Sequence, residues 1–130
     1  MTQDGGQMPP EGAPAIRVIA MPADTNADGE MFGGWLVSLM DLAAATVASQ
    51  QAKGRAVTVA IDGMIFHKPV KVGDLVSVYA DLLSVGRTSM KIDVTAWRRP
   101  RGTELHEKVT HATITFVAVD DDGRPRVIGG

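Results

Sequence analysis

Between Met31 and Ala52 the chain reads MFGGWLVSLMDLAAATVASQQA, with a single charged side chain, Asp41. No other stretch constrains the fold as strongly. It is too long for one strand, and Leu36, Met40, Ala43 and Val47 recur at helical spacing. The opposite side carries Val37, Ser38, Asp41, Ala44, Ala45 and Ala48, again apolar or small. A helix without a polar stripe is buried nearly all round. It begins near Gly33 or Gly34 and ends at about Ala52, where Lys53 and Gly54 give a stop signal. A carboxylate at its middle makes it a poor membrane span.

The remainder reads as strands. AIRVIAM (Ala15 to Met21) comes first and Pro22 stops it; ADTNADGEMFGG is then loop. After the helix come AVTVAIDGMIF, with a bulge expected at Gly63, then LVSVYADLLSV, SMKIDVTAW and KVTHATITFVAV. Their short connections predict antiparallel neighbours arranged as two hairpins. One helix buried all round needs a sheet wrapped around it. The α+β arrangement that does so is the hot-dog fold, an antiparallel sheet around one long central helix. Its exposed edge strands predict edge-to-edge pairing with a second copy.

The 130 residues suit one domain, over 15–130, behind a polar, Gly- and Pro-rich tail over 1–14 that is expected to be flexible. That tail lacks the basic and apolar regions of a signal peptide. A formal net charge of -2 gives little support to a nucleic-acid partner. The absence of cysteine excludes disulfides, thiolate nucleophiles and cysteine-ligated zinc. His67, His106 and His111 have no metal-ligand spacing, and no phosphate-binding glycine motif or nucleophile elbow occurs. A cytoplasmic protein that neither spans a membrane nor binds one is the simplest expectation.

Asp41 is therefore the main chemical candidate. Its helical neighbours Val37, Ser38, Ala44 and Ala45 include no cation. It is either a carboxylate facing water or a distant arginine, or a general base or nucleophile lining a pocket. Gly33 and Gly34 add the unpaired amides of a helix start, which can polarise a carbonyl. Eight residues of helix separate Gly33 from Asp41 by roughly 12 Å. Asn26, in the preceding loop, is either a turn former or a polar group that orients water or a carbonyl.

The combination of Asp-Thr-Asn, Phe-Gly-Gly-Trp, Met-Asp, HKPVKVGD and VGRTS, over roughly Ile16 to Arg126, resembles the hot-dog acyl-CoA thioesterases of the bacterial YciA-like branch. The resemblance implies hydrolysis of acyl-coenzyme A to a free acid and coenzyme A, with no metal or other cofactor. It assigns the catalytic carboxylate to Asp41, the loop asparagine to Asn26 and the helix-start amides to Gly33 and Gly34. It places coenzyme A against Arg87, Thr88 and Ser89. On a chain of net charge -2 the phosphates of that ligand need a local basic group, Arg87 first, with Lys68, Arg98 and Arg99 in reserve. It further implies a dimer with Asn26 and Asp41 of one site on different chains, and hexamers built as trimers of dimers. The sequence departs from the family at Asp62, Gly63 and His67, in a strand that would line the acyl pocket. A hot-dog dehydratase would need a histidine before the helix, and none precedes His67. The remaining alternative is a non-catalytic acyl-CoA-binding module.

Overall fold

The structure is a computed structural model and describes residues 8–129; the first half of the expected tail lies outside it. One helix, α1 (Gly33–Ala52), packs on a five-stranded antiparallel sheet. The strands are β1 (Ile16–Ile19), β2 (Ala56–Asp62), β3 (Leu75–Val85), β4 (Ser89–Arg99) and β5 (Glu107–Ala118). A short 3₁₀ turn over Pro22–Asp24 lies in the loop before α1. This is the expected α+β hot-dog architecture.

The sheet order is β1-β3-β4-β5-β2. The long strands β3, β4 and β5 form a meander, as their short connections predict. The expectation of two hairpins fails at β2, which pairs with β5 and not with β3. The segment 63–74 is too long for a tight turn and lets the chain cross to the opposite edge. The bulge also lies elsewhere than expected. Thr58 pairs with Phe116 and Ala60 with Thr115, which leaves Val59 as the extra residue.

The core is the interface between α1 and the concave sheet face. Leu36, Met40, Ala43, Ala44, Ala48 and Ala52 of α1 meet Val76, Val78, Met90, Ile92, Val94, Ile114 and Phe116. The alanines of the second half let the helix lie close to the strands. In the single chain α1 is not buried all round, contrary to the sequence expectation: Leu42 is 58% exposed. The sheet curls round one side only.

The two helix ends are finished differently. Phe32 makes no side-chain cap bond at the start. At the other end Lys53 adopts the left-handed conformation (φ 57°) and its N–H reaches the Ser49 carbonyl. Arg126 then donates from Nη2 to the Ala52 carbonyl (2.8 Å) and from Nε to the Val119 carbonyl (3.0 Å). A Cβ at position 54 would stand 2.8 Å from Arg126 Nη2 and would push the guanidinium away, so glycine there preserves this arrangement.

Candidate active site

Asp41 lies on the side of α1 that faces β2, and its carboxylate is half-buried. Thr58 Oγ1, on β2, donates a 2.5 Å hydrogen bond to Asp41 Oδ1. No ion pair reaches the carboxylate among the described residues. One oxygen is thus fixed by a neutral donor, and the group keeps its acceptor capacity for a ligand. Thr58 is not among the sequence candidates, because it lies on another element. A threonine in an alternating strand is unremarkable until the pairing is known.

The Asp41–Thr58 pair lies at the open rim of the sheet. β2 is an edge strand, with β5 as its one neighbour. Val57, Val59 and Ile61 on it are 40%, 55% and 38% exposed, and Leu42 is exposed beside Asp41 on the helix. An unpaired edge with apolar side chains next to a carboxylate is an incomplete surface.

Gly33 and Gly34 stand at the uncapped helix start, where backbone N–H groups have no intrahelical partner. Their surroundings are unequal. A Cβ at Gly34 would meet nothing within 4 Å, whereas one at Gly33 would come within 3.3 Å of the Phe66 ring. A cavity of about 210 Å3 opens here, lined by Met31, Gly33, Leu36, Phe66, Lys68 and Val109 among others.

Asn26 is seen as the turn former that the loop composition allowed. Its Oδ1 accepts from the N–H groups of Asp28 (2.9 Å) and Glu30 (3.1 Å), which shapes the loop. Two donors on Oδ1 fix the amide orientation and make Nδ2 the end that can donate elsewhere.

The basic candidates separate. Lys68 shares the Gly33 cavity, but its ammonium is 3.6 Å from Glu107. Arg98, held in reserve for phosphate, is engaged internally: it pairs with Glu107 at 2.6 Å and with Asp74 at 3.1 Å. Burial pushes the Arg98 guanidinium down, and the hydrogen bond and charge of Glu107 with those of Asp74 outweigh it, so it stays above its ordinary value. Burial pushes the Glu107 carboxyl up, and Arg98 and then Lys68 pull it below its ordinary value. Arg87 and Thr88 lie in the β3–β4 turn and Ser89 opens β4. The Arg87 carbonyl accepts from Ile128, in the same C-terminal segment that caps α1. Within one chain that turn is therefore at the opposite end of α1 from Gly33, some 30 Å of helix away.

A larger cavity of about 520 Å3, between Ile19, Met21, Val72, Arg99 and Arg101, contains none of the candidate catalytic groups. No group of three His, Cys, Asp or Glu able to hold a metal occurs among the described residues. None of the described helices is long and apolar enough to cross a membrane.

The chain matches the thioesterase superfamily over residues 28–105. It is 59% identical over 116 residues to an uncharacterized acyl-CoA thioester hydrolase of Zymomonas mobilis, covering 89% of this chain and 78% of the relative. It is 45% identical over 122 residues to the acyl-CoA thioester hydrolase YciA of Escherichia coli, covering 92% of each. Among solved structures it is similar to HI0827, a hexameric broad specificity acyl-coenzyme A thioesterase, with a TM-score of 0.89 and 45% identity over 100% of this chain and 89% of the other.

Proposed function

The chain belongs to the thioesterase superfamily, and from that premise we propose that it hydrolyses acyl-coenzyme A to a free carboxylic acid and coenzyme A. The observation that carries the reading is Asp41: a half-buried carboxylate on an apolar helix, with a threonine hydroxyl as its partner and no cation. Structural carboxylates in such surroundings are neutralised by a paired charge. This one is left able to act.

Two routes fit. Asp41 takes a proton from water as the water oxygen attacks the thioester carbon. Alternatively its own oxygen attacks, coenzyme A leaves as the thiolate, and water hydrolyses the mixed anhydride. In both, the carbonyl oxygen gains negative charge. The amides at Gly33 and Gly34, at the positive end of α1, are suited to receive it. Asn26 Nδ2 serves as a further donor to the carbonyl or the water. Arg87, Thr88 and Ser89 meet coenzyme A, and Lys68 stands beside the acyl cavity.

The roughly 12 Å along α1 between Gly33 and Asp41 keeps one chain from placing both on a single thioester carbon. A partner docked along β2 would bring its own helix start to Asp41. It would equally bring its β3–β4 turn toward the Gly33 end of α1. We therefore assign each site to two chains of a dimer, and the dimers to a hexamer, the assembly of the similar HI0827.

Free-thiol release from a panel of acyl-CoAs tests the activity. Turnover supports hydrolysis, while saturable binding without thiol release supports the non-catalytic module. Mixing tests the shared site. Asn26→Ala and Asp41→Asn subunits, re-paired at random in equal amounts, make about half the dimers mixed, each with one intact site. About a quarter of wild-type activity returns. Activity that stays at the mean of the two variants, with subunit exchange confirmed by mass spectrometry, assigns the site to one chain.

A further inference from the structure

We propose that the buried carboxylate of Asp74 is a positioning residue for the reaction, holding the loop that carries Asn26 through the segment 70–74. The inference rests on the thioesterase reading, in which Asn26 donates to the thioester carbonyl or to the attacking water. Asn26 lies in the loop between β1 and α1, which closes on itself. The Asn26 N–H donates to the Glu30 carbonyl at 2.7 Å, and the Gly29 N–H to the Asn26 carbonyl at 3.2 Å. A second loop segment anchors it from outside. The Met31 N–H donates to the Val70 carbonyl (2.8 Å) and the Val72 N–H to the Gly29 carbonyl (3.3 Å).

That second segment is organised by Asp74, which is 3% exposed. Its Oδ2 accepts from the Lys71 N–H at 2.9 Å and from Arg98 Nη1 at 3.1 Å. One oxygen thus closes the 71–74 turn and ties it to β4. Arg98 is itself fixed by Glu107 at 2.6 Å. The Gly73 N–H donates to the Ala20 carbonyl, and the Ala20 N–H to the Asp74 carbonyl, both at 2.9 Å. A buried ion pair adds little net stability over apolar packing, but its bonds are directional. Its use here is geometric: a displacement of about 1 Å at a group that acts on the reacting atoms costs on the order of 100-fold in rate. All of these contacts lie within one chain, so they hold however the subunits meet. The carbonyl that Asn26 addresses is common to every acyl-CoA, so the device is indifferent to the acyl group.

The test measures kcat and KM on several acyl-CoAs for wild type, Asp74→Ala, Asp74→Ser and Asp74→Asn, and for Asp74→Ala combined with Asn26→Asp. Asn26→Asp keeps the Oδ1 acceptor that shapes the loop and removes the Nδ2 donor. Asp74→Ala lowers kcat about 10-fold or more at nearly unchanged KM, by the same factor for each acyl group. Asp74→Asn, which retains an oxygen for both donors, recovers most of the rate. In the Asn26→Asp background Asp74→Ala costs little more, because the donor it positions is already gone. Asp74→Ser keeps a short acceptor for the Lys71 N–H should the alanine variant fail to fold, and shows the same pattern at smaller amplitude. Hydrogen exchange follows the loop without turnover: the Glu30, Met31 and Val72 amides, none of them bonded to the Asp74 side chain, exchange faster in folded Asp74→Ala. Equal losses with and without Asn26→Asp, or unchanged kcat or exchange in a folded variant, overturn the role of Asp74 and leave the thioesterase reading intact. A wild-type protein that releases thiol from no acyl-CoA overturns both, and exchange alone then decides whether Asp74 holds the loop.

Discussion

The two halves of α1 are built on opposite terms. From Ala43 to Ala52 the helix turns four buried alanines to the sheet, ends in a left-handed cap and receives a guanidinium on its last carbonyl. From Gly33 to Asp41 it starts without a side-chain cap, opens on two glycines and carries a carboxylate beside an edge strand. Every backbone group left unsatisfied at the first end costs stability that a cap would supply, on the order of 1 kcal/mol. The sealed half holds the helix in register on the sheet. That allows the open half to keep free amides and an unpaired carboxylate at fixed positions, which is what electrostatic stabilisation of a developing charge requires.

The sharpest way to break this contrast is Asp41→Asn. If the open half is reactive, the change lowers thioester hydrolysis on the order of 100-fold or more, while circular dichroism and oligomer size stay as in wild type. A folded Asp41→Asn protein with near-normal turnover would move the chemistry elsewhere. Arg87→Ala probes the other half. The turn it occupies lies at the sealed end of its own chain, so an effect on substrate binding comes through the partner. The expected outcome is a rise in KM of about 10-fold with a smaller change in kcat, since lost phosphate contacts are remote from the reacting carbon. A fall in kcat at constant KM would remove Arg87 from the binding surface.

Arg126→Ala addresses the seal itself. It removes two hydrogen bonds from a charged donor, each worth about 1.5–3 kcal/mol at most, and leaves the Ala52 and Val119 carbonyls to water. The melting temperature should fall by several degrees while the acyl-chain profile is preserved. A changed profile would show that the two halves are not independent. The smallest effect is expected from acid. Glu107 has a folded-state pKa below its ordinary 4.5, so its ion pair stabilises the fold above that value, and the contribution is lost as pH falls below it. Glu107→Gln should flatten the loss of stability below pH 4.5, measured by denaturant melts at several acid pH values, and leave neutral-pH activity alone.

The legible and illegible parts divide along the same physical line. Residues read from one element's own periodicity came through: α1 spans Gly33–Ala52 as its spacing predicts, and β3 spans Leu75–Val85. Those that depend on which elements meet did not. The β2–β5 pairing joins strands separated by two others in the chain, and nothing local in Thr58 or Phe66 announces that one faces Asp41 and the other Gly33. Arg98 was held in reserve for a ligand because its partners, Asp74 and Glu107, come from other strands and loops. Asp41 was legible as a candidate for the opposite reason: a charge on an apolar helix contradicts its own surroundings.

The contact between Gly54 and Arg126 has a consequence for how such sequences can drift. A Cβ at position 54 and the guanidinium at 126 would compete for the same space, 2.8 Å apart. Position 54 is therefore not free to change without a response at position 126. A lineage that replaces Gly54 has to displace or shorten Arg126, and one that loses Arg126 removes that contact. In an alignment of many descendants the two columns should therefore vary together, although a large part of the chain lies between them and neither touches the reacting groups.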